Sequence, residues 1–137
     1  MLLNKKLQKK SVSQLKKIAT FHFNKYIRLR DQDLFCVSCN KPSNTYHAGH
    51  YFSQGSNPGI KFNLDNVNKQ CVKCNFYLHG NLIEYTENLK KKIGLERYEK
   101  LVFIKDQYKR TNFKWDRFFL IEIIKTYIEK NKNFNNY

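Results

Sequence analysis

Two Cys-x-x-Cys pairs, Cys36-Val37-Ser38-Cys39 and Cys71-Val72-Lys73-Cys74, stand 31 residues apart. Each presents two thiols across a tight turn, the geometry from which one tetrahedral zinc site is commonly assembled, and the interval is long enough for a strand, a loop and a second strand. The pairs thus point to a small fold stapled at its middle. A redox pair or disulfides is the competing reading, but the Lys-rich start lacks the apolar region of a signal peptide, and in a reducing compartment such cysteines read as metal ligands. Four thiolates leave no open coordination position, so this zinc holds the fold and any catalytic metal must be a second ion.

At 137 residues the chain suits one domain, residues 1–137, of the α+β class. Three regions follow from the sequence: a basic N-terminal helix over 1–33, the cysteine-framed core over 34–80 and C-terminal helices over 81–137. The net charge is +15, unevenly placed, with nine basic and no acidic side chains in residues 1–30. Such a balance favours a polyanionic partner, because each Lys or Arg near a phosphate releases condensed counterions. An AT-rich gene would also inflate Lys and Asn, but it does not explain thirty residues free of Asp and Glu. The apolar runs are far too short to span a membrane, and no membrane partner is expected.

In "SVSQLKKIATFHFNKYIRLRD", Leu15, Ile18, Ala19, His22 and Tyr26 recur at helical spacing, with Ser11 or Ser13 as caps. His22 lies on that apolar stripe and reads as packed rather than as a ligand. Lys16, Lys17, Lys25, Arg28 and Arg30 take the remaining surface, where they would meet phosphates or simply be solvated. "TYHAGHYF" reads as a strand and "SQGSNPG" as a loop, "IKF" as briefly extended, and "VNKQ" leads into the second cysteine pair. A helix is expected from Cys74 to about His79, broken at Gly80-Asn81, and another ending at Gly94. Leu120, Ile123, Ile124, Tyr127 and Ile128 mark a terminal amphipathic helix whose stripe would either close the core or form a homodimer interface, and "NKNFNNY" is expected to fray.

Around the cysteines stand His47, His50, Asn66, Asn75 and His79. Asn75 and His79, four apart, would share a helix face directly after a zinc cysteine. His50 would sit on the first strand, and Asn66 would bond the connecting backbone and fix how that histidine points. A neutral imidazole there can take a proton from water, and a mixed oxygen and imidazole site suits Mg²⁺ or Mn²⁺. Lys69 and Lys73 lie close enough in sequence to meet a phosphate.

This framework resembles the HNH, or ββα-metal, nuclease fold on a treble-clef zinc base, and Cys74-Asn75 resembles the endonuclease VII arrangement. More closely, "YIRLRD", "CVSC", "HAGHYFSQG", "FNLDNVNKQCVKCN", "LHGNL" and "IGLE" together resemble the NinG family of lambdoid phages, also called Rap, the recombination endonucleases; the likeness runs over roughly residues 10 to 101. The resemblance implies an endonuclease on branched DNA such as Holliday junctions and D-loops, at work in the cytoplasm of a bacterial host. It implies His50 as general base, with the divalent ion held by Asn75 and His79 with help from His47.

The chain departs from the HNH pattern in having Gly49 where many such sites place a ligand directly before the base. His47 would replace that ligand, yet on a regular strand it points away from His50, and a bulge at Ala48-Gly49 would reconcile them. The opposite assignment, His47 as base and His50 as ligand, stays open. A non-catalytic zinc module that binds nucleic acid is the alternative function, but it requires none of the four aligned residues His50, Asn66, Asn75 and His79.

Overall fold

In the computed structural model, which describes residues 2–134, helix α1 (Leu2–Gln8) stops short of Ser11. The Ser11 hydroxyl accepts from the Gln14 N–H, while the Gln14 side chain accepts from the Ser11 N–H. This reciprocal capping box starts α2 (Val12–Arg30), so the basic segment expected as one helix is two. Along α2 every fourth residue turns inward: Leu15, Ala19, Phe23 and Ile27 are fully buried, with Ile18, His22 and Tyr26 half-buried beside them. The inward line thus runs through Phe23 and Ile27 rather than through His22 and Tyr26.

The terminal helix α5 (Arg117–Phe134) lies along this line and buries Leu120, Ile121, Ile124 and Tyr127. Phe23 meets Tyr127 and Phe62 edge to face at 4.9 and 5.3 Å. The α5 stripe therefore closes the core within the chain. Asn131, in the stretch expected to fray, is buried and donates to the His22 carbonyl at 3.0 Å; Asn135 to Tyr137 lie outside the described residues.

The architecture is mixed α+β: five α-helices around one two-stranded antiparallel sheet among the described residues. Strand β1 (Tyr46–His50) pairs with β2 (Val67–Cys71) in an unbroken register, His47 opposite Gln70, Gly49 opposite Asn68 and His50 opposite Val67. The bulge expected at Ala48-Gly49 is absent. Gly49 has a steric reason instead, since a Cβ there would run into the Gln70 side chain. That side chain is fixed by bonds to the Ser38 hydroxyl at 2.7 Å and the Gly80 carbonyl at 2.6 Å.

The connection from β1 to β2 carries a 3-10 turn, Pro58–Ile60, and Lys61 and Phe62 follow in a turn rather than extended. After β2 a short π-helical turn, Lys73–Tyr77, ends where His79, Gly80 and Asn81 take positive φ of 51°, 97° and 43°. His79 consequently lies past the helix in a left-handed turn and does not share a helix face with Asn75. Helices α3 (Leu82–Ile93) and α4 (Leu95–Lys109) follow, parted by Gly94 at a φ of 84° that a side chain rarely adopts. Tyr85, Leu89 and Ile93 of α3 pack with Val37, Ile60 and Leu101 into a second core.

One buried carboxylate joins these layers. Asp31, 2% exposed at the end of α2, accepts from Arg30 and Lys92 at 2.8 Å each and from the Lys69 N–H at 3.1 Å. Arg30 also donates to the carbonyls of Leu64 and Val67 and to the Asn68 side chain. The guanidinium is thereby consumed in holding α2 to β2, which corrects its expected role at a phosphate.

Candidate metal centre and active site

The four cysteine sulfurs lie within 4.8 Å of one another and form, among the described residues, the only cluster of three or more Cys, His, Asp or Glu able to share an ion. Cys39 and Cys71 Sγ are 3.9 Å apart, close to the ~3.8 Å expected between ligands of a tetrahedral ion with metal–sulfur bonds of about 2.3 Å. The N–H groups of Cys39 and Cys74 point at the sulfurs of Cys36 and Cys71, and the Asn81 amide points at Cys74. Burial and the neighbouring thiols push the Cys74 thiol up to about 12. A divalent cation, which lowers thiol pKa values on binding, offsets that cost. The four cysteines therefore fit a single metal ion.

A cleft of about 500 Å³ opens beside β1, lined by Ala48, His50, Ser53, Gln54, Asn75 and His79 among others. Ala48 and His50, two apart on β1, reach it from one face of the strand. The structure thus brings His50, Asn75 and His79 to one cavity although His79 has left the helix. The lining contains no carboxylate, and none occurs from Leu34 to Leu64 or from Asn66 to Ile83.

His50 Nε2 donates to the Lys61 carbonyl oxygen at 2.9 Å. A carbonyl can only accept, so Nε2 carries the proton and Nδ1 of the neutral ring keeps its lone pair. Burial lowers the His50 pKa below the ordinary value, and the Lys61 ammonium adds to this against the raising effect of the carbonyl bond. The ring is therefore held neutral and basic at one nitrogen.

His47 does not line the cleft. Its Nδ1 accepts from the Asn75 amide at 2.9 Å, which orients that side chain and leaves Asn75 Oδ1 without a hydrogen bond among the described residues. Asn66 is fully buried behind the cleft: its Oδ1 accepts from the Phe52 N–H at 2.8 Å and its Nδ2 donates to the carbonyls of Phe52 and Ile60. It cannot touch a substrate; it closes the loop whose next residue, Lys61, binds His50.

The basic residues divide. Lys17, Lys25, Arg28 and Lys73 are exposed, and Lys16 is half-buried with its ammonium 5.5 Å from the Trp115 ring centre. Lys69 is buried, 3.9 Å from the Tyr46 ring centre and donating to the carbonyls of Asp31, Gln32 and Leu34, so it is closed to a phosphate. Lys61 escaped the sequence reading. Burial and the neighbouring Lys16 ammonium lower its pKa, a repulsion that an anion between the two would relieve. No sequence pattern flags it, because the group it gives His50 is a backbone carbonyl that any residue owns. Among the described residues no helix is long and apolar enough to cross a membrane.

Over residues 2–136 the chain matches the family described as "NinG: Bacteriophage Lambda NinG protein". Across 79 residues it is 42% identical to "Protein ninG" of Escherichia phage lambda and 39% identical to "Protein ninG" of Salmonella phage P22, each alignment covering 57% of this chain and 39% of the relative. The aligned part thus amounts to about two fifths of the length of these curated relatives. No solved structure matches the chain.

Proposed function

The chain belongs to the NinG family, and from that premise we propose that it is a metal-dependent endonuclease that cuts branched DNA in phage recombination, with an HNH-like site on a treble-clef zinc base. The observation that carries this reading is the bond to the Lys61 carbonyl from His50, which lines a cleft together with Asn75 and His79. A neutral imidazole with one free basic nitrogen is what a general base for water requires. The absence of carboxylates from the lining, in a chain of net charge +15, suits a polyanionic substrate.

In this reading His50 Nδ1 takes the proton of the attacking water, and the Lys61 carbonyl keeps the ring in the tautomer that can do so. A Mg²⁺ or Mn²⁺ ion held by Asn75 Oδ1 and His79 would neutralise charge on the scissile phosphate and on the departing 3′ oxygen. His47 positions Asn75 from behind, which favours His50 over His47 as the base. Lys16, Lys17, Lys25, Arg28, Lys61 and Lys73 supply phosphate contacts, and the products carry 5′-phosphate and 3′-hydroxyl ends. Zinc on Cys36, Cys39, Cys71 and Cys74 holds the frame.

One observation favours a second reading, a non-catalytic zinc module that binds nucleic acid: outside the cysteines no three metal-ligating Cys, His, Asp or Glu groups converge among the described residues. The two readings part when wild type and His50→Ala are incubated with a labelled four-way junction and the matched linear duplex, with Mg²⁺ or Mn²⁺ and with EDTA. Metal-dependent cutting of the junction, lost in a folded, zinc-containing variant, is the expected result. Tight, salt-sensitive binding without cutting would establish the module instead.

A further inference from the structure

Phe76 and Tyr77 share a short helical turn with buried Cys74 and with Asn75, yet they are 67% and 69% exposed. Their ring centres are 5.1 Å apart at 90°, so the two rings brace each other. In sequence they fall between Asn75, on the same turn, and His79, just past it, which both line the cleft. Lys73, one turn earlier, is exposed, and no Asp or Glu occurs from Asn66 to Ile83. The stretch that carries the rings thus holds an exposed cation and no carboxylate to repel a polyanion.

We propose that Phe76 and Tyr77 form a stacking platform for unpaired bases at a DNA branch, beside the phosphate that the cleft receives. The inference rests on the endonuclease reading and supplies the source of its branch selectivity. Bases within a continuous duplex have both faces covered by their neighbours, whereas a branch point or frayed end offers a free face. An aromatic ring accepts such a face whatever the base, so the platform would select structure without reading sequence. The backbone that follows the stacked base is then led by Lys73 toward Asn75 and His50.

The test compares wild type with the Phe76→Ala, Tyr77→Ala double variant and with a ring-keeping swap, Phe76→Tyr with Tyr77→Phe, after checking zinc content and circular dichroism. Without Mg²⁺ or Mn²⁺, each protein is titrated into a four-way junction carrying 2-aminopurine at the branch and into the matched duplex carrying it at the same position. Wild type and the swap should change the fluorescence of the junction but not of the duplex. The alanine variant should lose that change, and its junction-over-duplex preference should drop roughly five- to a hundredfold with duplex affinity unaltered. Retained signal and preference in the folded alanine variant would overturn the platform. So would equal losses on both DNAs, or a wild-type dimer turned monomeric with junction preference intact, which would assign the rings to a second copy of the chain. Parallel assays with Mn²⁺ separate this from the nuclease reading. Stacking without cutting would sink the endonuclease and leave the platform, whereas cutting with unchanged preference in the alanine variant would sink the platform alone.

Discussion

His50 and Lys61 are tied side chain to backbone, imidazole Nε2 to carbonyl oxygen at 2.9 Å, across the turn that links the two strands of the hairpin. His50→Ala should lower the cleavage rate about 10²- to 10⁴-fold with little effect on DNA affinity. The pH profile gives a sharper check. Burial favours the neutral ring, so the acid limb of the rate should fall below the ordinary histidine value of about 6.5, with activity flat above it. A limb displaced above that value would remove His50 from the role of base.

Lys69 and Lys73, four residues apart, should behave oppositely. Lys73→Ala removes an exposed charge and should reduce the slope of log affinity against log salt by about 0.9 for duplex DNA, with stability unchanged. Lys69→Ala leaves carbonyl groups of the α2–β1 connection unpaired and should lower the urea midpoint while leaving the salt slope alone. Salt titrations and urea melts of both variants decide the matter.

Asp31→Ala should destabilise the fold by about 3–5 kcal/mol, because it strands Arg30 and Lys92 at a buried site. Burial alone would push the Asp31 carboxyl up, but its bonds to Arg30 and Lys92 outweigh burial and hold it below the usual carboxylate range. This contribution is thus fully present above the unfolded value near pH 4 and is lost as pH falls through the lower folded value. The gap in urea midpoint between wild type and variant should therefore narrow as pH is lowered from 7 toward 3.

Cys74→Ser should lower the bound zinc and loosen the hairpin, since three thiolates and a hydroxyl make a poorer tetrahedral set than four thiolates. Metal analysis by mass spectrometry and far-ultraviolet circular dichroism of the purified variant test this. Full zinc occupancy with an unchanged melting curve would argue against the cluster as the staple of the fold.

Local patterns carried much of this arrangement into the sequence. The cysteine spacing announced four convergent sulfurs, and they lie within 4.8 Å of one another. β-Branched and aromatic content with turn residues announced the hairpin, and Gly94 announced a helix end. What could not be read there depends on distant partners. Lys69 and Arg30 look like any surface cations until Asp31 and the carbonyls around them are placed, and Lys92, 61 residues from Asp31, shares its carboxylate. His79 left the helix because Gly80 and Asn81 take a left-handed path, which spacing between ligands does not reveal. Exposure of Phe76 and Tyr77 is equally invisible, since aromatic residues more often pack inside.

The close approach of Gln70 to Gly49 reaches beyond packing to what this lineage can become. A metal ligand could be added directly before His50 only by placing a side chain at 49, and that space belongs to Gln70, itself anchored to Ser38 and Gly80. Neither change is harmless alone, because shrinking residue 70 frees two buried bonds and enlarging residue 49 collides. Positions 49 and 70 therefore form an epistatic lock, and a strengthened metal site would have to open it with two substitutions made together.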